Sequence, residues 1–567
     1  PIKTPPPSPS PKCFFYCLNK IIKMDIEEYK LRGKQMIDFI CNYYQTINER
    51  RVFPSIKPGY LAPLLPKEAP KKPDKWEDIM HDVDTKIMPG ITHWNHPRFF
   101  AYFPAGNSFA SFLGDMLSDG IGCIGFSWAS SPACTELETI VLDWLGKALN
   151  LPDHLLYFTP GSIGGGVIQG SASECVLVSM LAARSDAINY LKEKGKSEKE
   201  DSEFLPLLVA YTSIEAHSCV EKAAKICMVK LRILMVDNES SMRGPKLAEA
   251  IQEDVKLGLH PFIVIATLGT TANCGFDNVK EIGPIVAKLP HCWFHVDAAY
   301  AGSSFICPEL RYLKEGLELA DSFNTNCNKF LNVCFDCSCL WVKDRYKLIS
   351  ALTVDPLYLQ HDQASVTIDY RNWMIPLSRR FRSLKLWFTL RNYGIEKLQN
   401  YIRNHVKLAQ VFEKLVNEDN RFEVCNVVRL GLVCFRLKAK DEVNQELLAS
   451  INREGTLHML PSITKNNYCL RFCIVYEHSK VTDIEYAWNV IKFHATQVLK
   501  QHDTKIVAPS LIEQNQILSY IQFISPDLFA KIHEKPNLRA EDSPVYVPSL
   551  IFSDLSAFSA SSVEDHH

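Results

Sequence analysis

Apolar runs of strand length recur along the middle of this 567-residue chain, each followed by a stretch with helical spacing. Leu207 to Thr212, Phe262 to Leu268 and Trp293 to Asp297 are nearly continuous in hydrophobic residues. Such strands are buried on both faces, which fits a sheet covered by the helices between them. The pattern predicts an open α/β sheet, which binds its ligand beyond the carboxyl ends of its strands. The polar residues gather there. His217 follows the first strand, Thr270 and Thr271 follow the second, Asp297 closes the third, and Lys329 lies in the next segment.

Asp297 and Lys329 are an acid and an amine, each at a strand edge, with Ala298 and Ala299 directly after the acid. An amine in this position can form a Schiff base with an aldehyde cofactor, and a carboxylate can pair with a pyridine nitrogen. The two alanines leave room for a flat ring near the backbone. Taken singly, an Asp at a strand end is ordinarily a cap and a Lys in a polar loop is ordinarily surface. Their agreement with the other segments gives them weight. One such segment is Gly164-Gly165-Gly166, read as a glycine-rich turn leading into a helix that starts near Ala172 and is flanked by Ser171 and Ser173. Free N–H groups, a helix dipole and two hydroxyls make a phosphate seat. It is not a nucleotide loop, since no Lys follows at the required spacing.

At 47% hydrophobic the chain can build a large core, and a net charge of -2 leaves no electrostatic footprint for nucleic acid. Its 19 cysteines, an odd number in no framework spacing, point to reduced thiols and a cytoplasmic protein. Cys337 and Cys339 read as two residues on one face of a strand, with no partner at zinc spacing, so no metal is expected. No window reaches the length of a membrane span, and the apolar stretch Phe14 to Leu18 is too short even for a signal peptide. The chain opens on Pro1, so a translation start at Met24 or upstream of Pro1 is expected.

Residues 1–23 are proline-rich and expected to be disordered. Residues 24–110 hold an amphipathic helix, with Met36, Ile40, Tyr43 and Ile47 at helical spacing, and a six-proline extended arm from Val52 to Lys75. A helix on such an arm is expected to wrap a second subunit. Residues 111–390 form the large α/β domain. Within it, residues 352–372 read as a long mobile loop carrying Tyr358. Residues 391–500 form a small α+β domain with strands at Leu432–Leu437 and Tyr468–Val475, and residues 501–567 form a partly disordered extension.

The motifs HPRFFAYFPAGNS, IGFSWASSPACTELE, GGGVIQGSASE, EAHSCVEKA, HVDAAYAGSSFICPE and LSRRFRSLKLWF follow one another in this chain. Together they resemble the group II pyridoxal-phosphate decarboxylases, the family of aromatic amino acid, histidine and tyrosine decarboxylases. The likeness runs from about Met24 to Lys500. It implies an aspartate-aminotransferase-like (fold type I) large domain, a homodimer and pyridoxal 5'-phosphate as cofactor. Lys329 would hold that cofactor, Asp297 would face its ring nitrogen and His217 would stack on its ring. Ala172, Ser173 and Asn326, with Asn328 in addition, would hold the phosphate, and Thr271 and Ala299 would touch the cofactor. Tyr358 would return a proton to the α-carbon. The substrate would lie among Phe103, Pro104 and Ala105, with Ile124 and Phe126 from the other subunit and Ser378 tuning specificity. Asn328 and Ser378 favour the tyrosine branch, with L-dopa or histidine as alternatives. Cys327 and Phe330 depart from that branch, where Pro and Trp are usual. An aldehyde synthase is disfavoured because His217 and Tyr358 are both present, and an inactive binding homologue because Lys329 and Asp297 are.

Overall fold

The computed structural model describes residues 24–363 and 366–502. The readings made for residues 1–23 and for the extension beyond residue 502 lie outside the described residues. The chain forms two units. The first, ending at Ile484, carries both sheets. The second begins at Glu485, inside the helix Val481–His502.

Seven strands make the main sheet: β1 (Gly165–Gln169), β2 (Leu208–Ser213), β3 (Lys230–Leu234), β4 (His260–Thr267), β5 (Trp293–Asp297), β6 (Ser322–Asn326) and β7 (Ser338–Val342). Their order is β1-β7-β6-β5-β4-β2-β3. Strands β2 to β6 are mutually parallel, while β7 runs antiparallel between β6 and β1. The chain moves outward from β2 to β3, then returns to the other side of β2 for β4 and continues to β6. That reversal is where an open α/β sheet leaves a crevice at its carboxyl edge.

Alternate residues of each strand enter different cores, as the two-residue period of a strand requires. Val264 and Ala266 of β4, with Phe294 and Val296 of β5, join Val141, Leu142 and Leu145 of the helix Pro132–Ala148. Ile263 and Ile265, with Leu208 and Ala210, face Val176, Met180 and Ala183 of the helix Ala172–Gly195. Two strands escape the sequence reading. The run read as a glycine-rich turn is instead the edge strand β1, whose Gly166 is needed because a Cβ there would lie 2.9 Å from the Trp341 indole. Strand β3 is the opposite edge, half-exposed, with Lys230 and Arg232 interrupting its apolar residues.

A second, antiparallel sheet holds β8 (Phe422–Val424), β9 (Leu432–Leu437), β10 (Leu460–Thr464) and β11 (Asn467–Cys473) in the order β10-β11-β9-β8. The long helix Ser383–Asn417 packs on it, bending at Gly394, whose φ of 67° suits a residue without a side chain. No helix among the described residues is long and apolar enough to cross a membrane.

One charged pair lies wholly inside. Arg379 Nη2 donates to Glu138 Oε1 at 2.6 Å, both side chains are inaccessible, and the same oxygen accepts from the Ile168 N–H at 2.8 Å. This joins the helix Pro132–Ala148, β1 and the segment before the long helix. Replacing Arg379 by Met strands the Glu138 carboxylate, so urea unfolding should show a loss of about 3–5 kcal/mol. Adding Glu138→Gln should recover part of it.

Candidate active site

Strand register creates the site. Asp297 ends β5 opposite Thr267 of β4 and Asn324 of β6. It is 3% exposed, and its Oδ1 accepts from the Ala299 N–H and from Asn324 Nδ2, both at 3.0 Å. The Ala299 carbonyl accepts from the Asn326 N–H at 3.0 Å, which ties the end of β5 to the end of β6. A single helical turn, Cys327–Phe330, follows and carries Lys329.

Asn328 and Phe330 are buried, but Lys329 keeps accessible surface although protein surrounds it. It therefore faces a space within the fold. Burial pushes its pKa below the ordinary lysine value; the Asp297 carboxylate opposes that push and the Arg471 guanidinium adds to it. Its Nζ lies 5.5 Å from the centre of the Phe103 ring. Phe103 stacks on Tyr300 at 3.8 Å, and Tyr300 stacks on Phe330 at 4.9 Å, so a column of rings backs the lysine turn. Pro104 is buried and Ala105 half-buried beside it. The Gly106 N–H donates to the Asn328 carbonyl at 2.6 Å, and a Cβ on Gly106 would lie 3.2 Å from that backbone.

His217 sits in the turn between β2 and the helix Cys219–Cys227. Its Nδ1 accepts from the Cys219 N–H at 3.1 Å, which leaves Nε2 to carry the proton of the neutral ring. Burial, then the Lys329 charge, holds its pKa below 6.5 against the opposing pull of Asp297. Ser171 caps the helix Ala172–Gly195, and the Ser173 hydroxyl bonds the Cys219 thiol, bringing two helix N-termini together. Asn326 Oδ1 is buried without a partner. Thr270 is used internally, its hydroxyl donating to Asn273 Oδ1, while Thr271 beside it is exposed. The Asn328 Oδ1 accepts from the Cys337 N–H at 3.1 Å.

Other expected residues are more exposed than this group. Tyr358 is 80% exposed on a short turn, Leu357–Leu359. Ser378 and Ile124 are exposed and Phe126 is half-buried. Three participants escape the sequence reading. Asn324 and Tyr300 reveal themselves only through register and packing. Arg471, buried in β11, has its guanidinium carbon 5.3 Å from the Phe103 ring centre and its Nε without a partner. A lone charge inside the apolar run Cys469–Cys473 is the signal that marks it. Cys337 and Cys339, read as two residues on one face of a strand, meet a third cysteine that sequence spacing does not reveal. Antiparallel pairing of β6 with β7 brings Cys327 to them, with the three sulfurs within 4.8 Å of one another.

The family model for the pyridoxal-dependent decarboxylase conserved domain matches residues 58–438. The chain is 51% identical over 479 residues to aromatic-L-amino-acid decarboxylase of Cavia porcellus, covering 84% of this chain and 99% of that one. It is also 51% identical to histidine decarboxylase of Drosophila melanogaster, covering 85% of this chain and 57% of that one. A crystal structure of Oryza sativa TDC with PLP and tryptamine superposes with a TM-score of 0.80 at 34% identity, over 84% of this chain and 99% of that one.

The depressed lysine gives a test that needs no turnover. In cofactor-free protein, the labelling of Lys329 by an aldehyde and borohydride, read by peptide mass spectrometry, should have its pH midpoint below the free-lysine value of about 10.4. Removing the opposing carboxylate by Asp297→Asn should move that midpoint lower still.

Proposed function

Since this chain belongs to the pyridoxal-dependent decarboxylases, whose cofactor is pyridoxal phosphate, we propose that it decarboxylates an aromatic L-amino acid, with L-tyrosine giving tyramine and CO2 as the first choice. The observation that carries this reading is Lys329, an accessible amine inside the fold, set between the Asp297 carboxylate and the Phe103 ring. The residues present fit the cofactor. The capped helix N-terminus at Ser171–Ser173 and the partnerless Asn326 amide suit its phosphate, and the carboxylate of Asp297 suits its ring nitrogen. When bound, the cofactor supplies the sink for the electron pair that departing CO2 leaves on the α-carbon.

The chain's own groups do the rest. Lys329, whose pKa burial lowers, would hold the cofactor through its amine. Neutral His217 would stack on the cofactor ring, and Ala172, Thr271 and Ala299 would touch the cofactor. Arg471, buried with a free Nε, is suited to the substrate carboxylate. Phe103, Pro104 and Ala105 form the apolar wall for an aromatic side chain. Asn328 holds the lysine turn through Cys337 and Gly106, so we place it in positioning and not on the phosphate. Tyr358 would deliver the proton to the α-carbon once its loop covers the site.

Exposed apolar surface supports the homodimer. The helix Ile26–Gln45 buries none of its residues, and Ile26, Tyr29, Leu31 and Ile37 are exposed on it. The helix Phe109–Ile121 exposes Phe109, Leu113, Met116, Leu117 and Ile121. Large apolar side chains grouped on an exposed helix favour cover by a partner. A partner covering it would bring Ile124 and Phe126 to the neighbouring site. A cytoplasmic location fits the cysteines, all free among the described residues.

Lys329→Ala should lower kcat at least about 1000-fold with the fold retained, measured by CO2 release. Tyr358→Phe should keep cofactor binding and divert product from amine toward aldehyde, and an unchanged amine yield would count against its role. Competition among tyrosine, dopa, histidine and tryptophan, read as kcat/KM ratios, decides the substrate, and Ser378→Gly should move the ratio toward dopa. Leu113→Glu with Met116→Glu should give a monomer by sedimentation and lose activity with it.

A further inference from the structure

The three cysteines beside the lysine turn lie outside the reaction described above. Cys327 opens the turn that carries Lys329, Cys339 lies in β7, and Cys337 lies just before it. The register that pairs Asn326 with Ser338 and Thr325 with Cys339 brings all three onto one side of the β6–β7 ladder. Each is fully inaccessible. Their sulfurs fall within 4.8 Å of one another, and Cys327 and Cys339 are 3.5 Å apart at sulfur.

A metal–sulfur bond of about 2.3 Å in a trigonal-planar site separates the sulfurs by about 4 Å. The cluster is therefore at the right size for a three-sulfur ion after shifts of about half an ångström. Three thiolates prefer a soft ion of low coordination number, and no imidazole belongs to the cluster. A buried cation lies beside the cluster, paired with two carboxylates. Lys385, wholly buried, acts on Cys337 electrostatically, and its Nζ has no hydrogen-bond partner, with Asp115 at 3.4 Å and Asp336 at 3.6 Å. A disulfide would consume two of the three sulfurs and leave the third alone.

We infer that Cys327, Cys337 and Cys339 form a binding site for a soft, thiolate-seeking ion of the Cu(I) class, in contact with the turn that presents Lys329. Filling it ties β6, the lysine turn and β7 together through a single ion. The site is independent of the substrate and leaves every reacting group free.

The test is anaerobic titration of the holoenzyme with Cu(I) in competition with a chromogenic chelator strong enough to strip isolated surface thiols. The wild type should retain one equivalent of Cu(I) per chain more than C339A. Its copper absorption fine structure should show sulfur neighbours only, and its Tm should rise on loading while that of C339A does not. C327A, measured in the same way, provides the comparison if C339A does not fold. Equal retention by wild type and both variants, nitrogen in the copper shell, or a Cys327–Cys339 disulfide in protein isolated without reductant would each overturn the assignment.

Discussion

A carboxylate at the end of an interior strand has to find polar company, and the company that Asp297 keeps sets the position of the rest of the site. It is almost wholly buried, so its oxygens must be bonded by protein or by a ligand. One oxygen takes the Ala299 N–H and the Asn324 amide. Those two bonds fix the loop after β5 and lock β6 in register, and β6 leads straight into the turn that carries Lys329. The distance from acid to amine is thus determined by sheet register, which a one-residue slip would destroy by turning Asn324 to the other face.

The electrostatics follow from that placement. Two permanent or potential cations, Lys329 and Arg471, meet at the Phe103 ring. Burial and mutual repulsion disfavour charge on the lysine, and Asp297 only partly restores it. A third cation at His217 would be worse placed still, and burial together with Lys329 keeps that imidazole neutral. The pattern suits a site that must receive an anionic cofactor and a zwitterionic substrate, because incoming negative charge relieves the crowding.

Much of this was legible in the chain itself. Continuous apolar runs marked β2, β4, β5 and β9 to within a residue or two, because interior strands have no solvent face to dilute the signal. The edge strands were hidden for opposite reasons: β1 by glycines that make room for Trp341, and β3 by polar residues facing water. Asp297, Lys329 and His217 were visible as polar punctuation after strands. Asn324 and Tyr300 were not, since an Asn within a strand and a Tyr after one carry meaning only when register and stacking are known. Cys327 was noticed as a departure from the family, yet its meeting with Cys337 and Cys339 depends on antiparallel pairing across a ten-residue excursion, which no local spacing records.

The segment around Tyr358 is anchored by an ion pair of Arg371 with Asp355 and a hydrogen bond between His361 and Asp369, while Val354, Leu357 and Tyr358 stand in water at 76%, 84% and 80% exposure. An oily tip held in solvent is a standing penalty of about 1.5–3 kcal/mol for each large side chain that a covering surface would relieve. Near room temperature that drive is almost entirely entropic and weakens on cooling. Engagement of this segment with any apolar neighbour would therefore loosen in the cold.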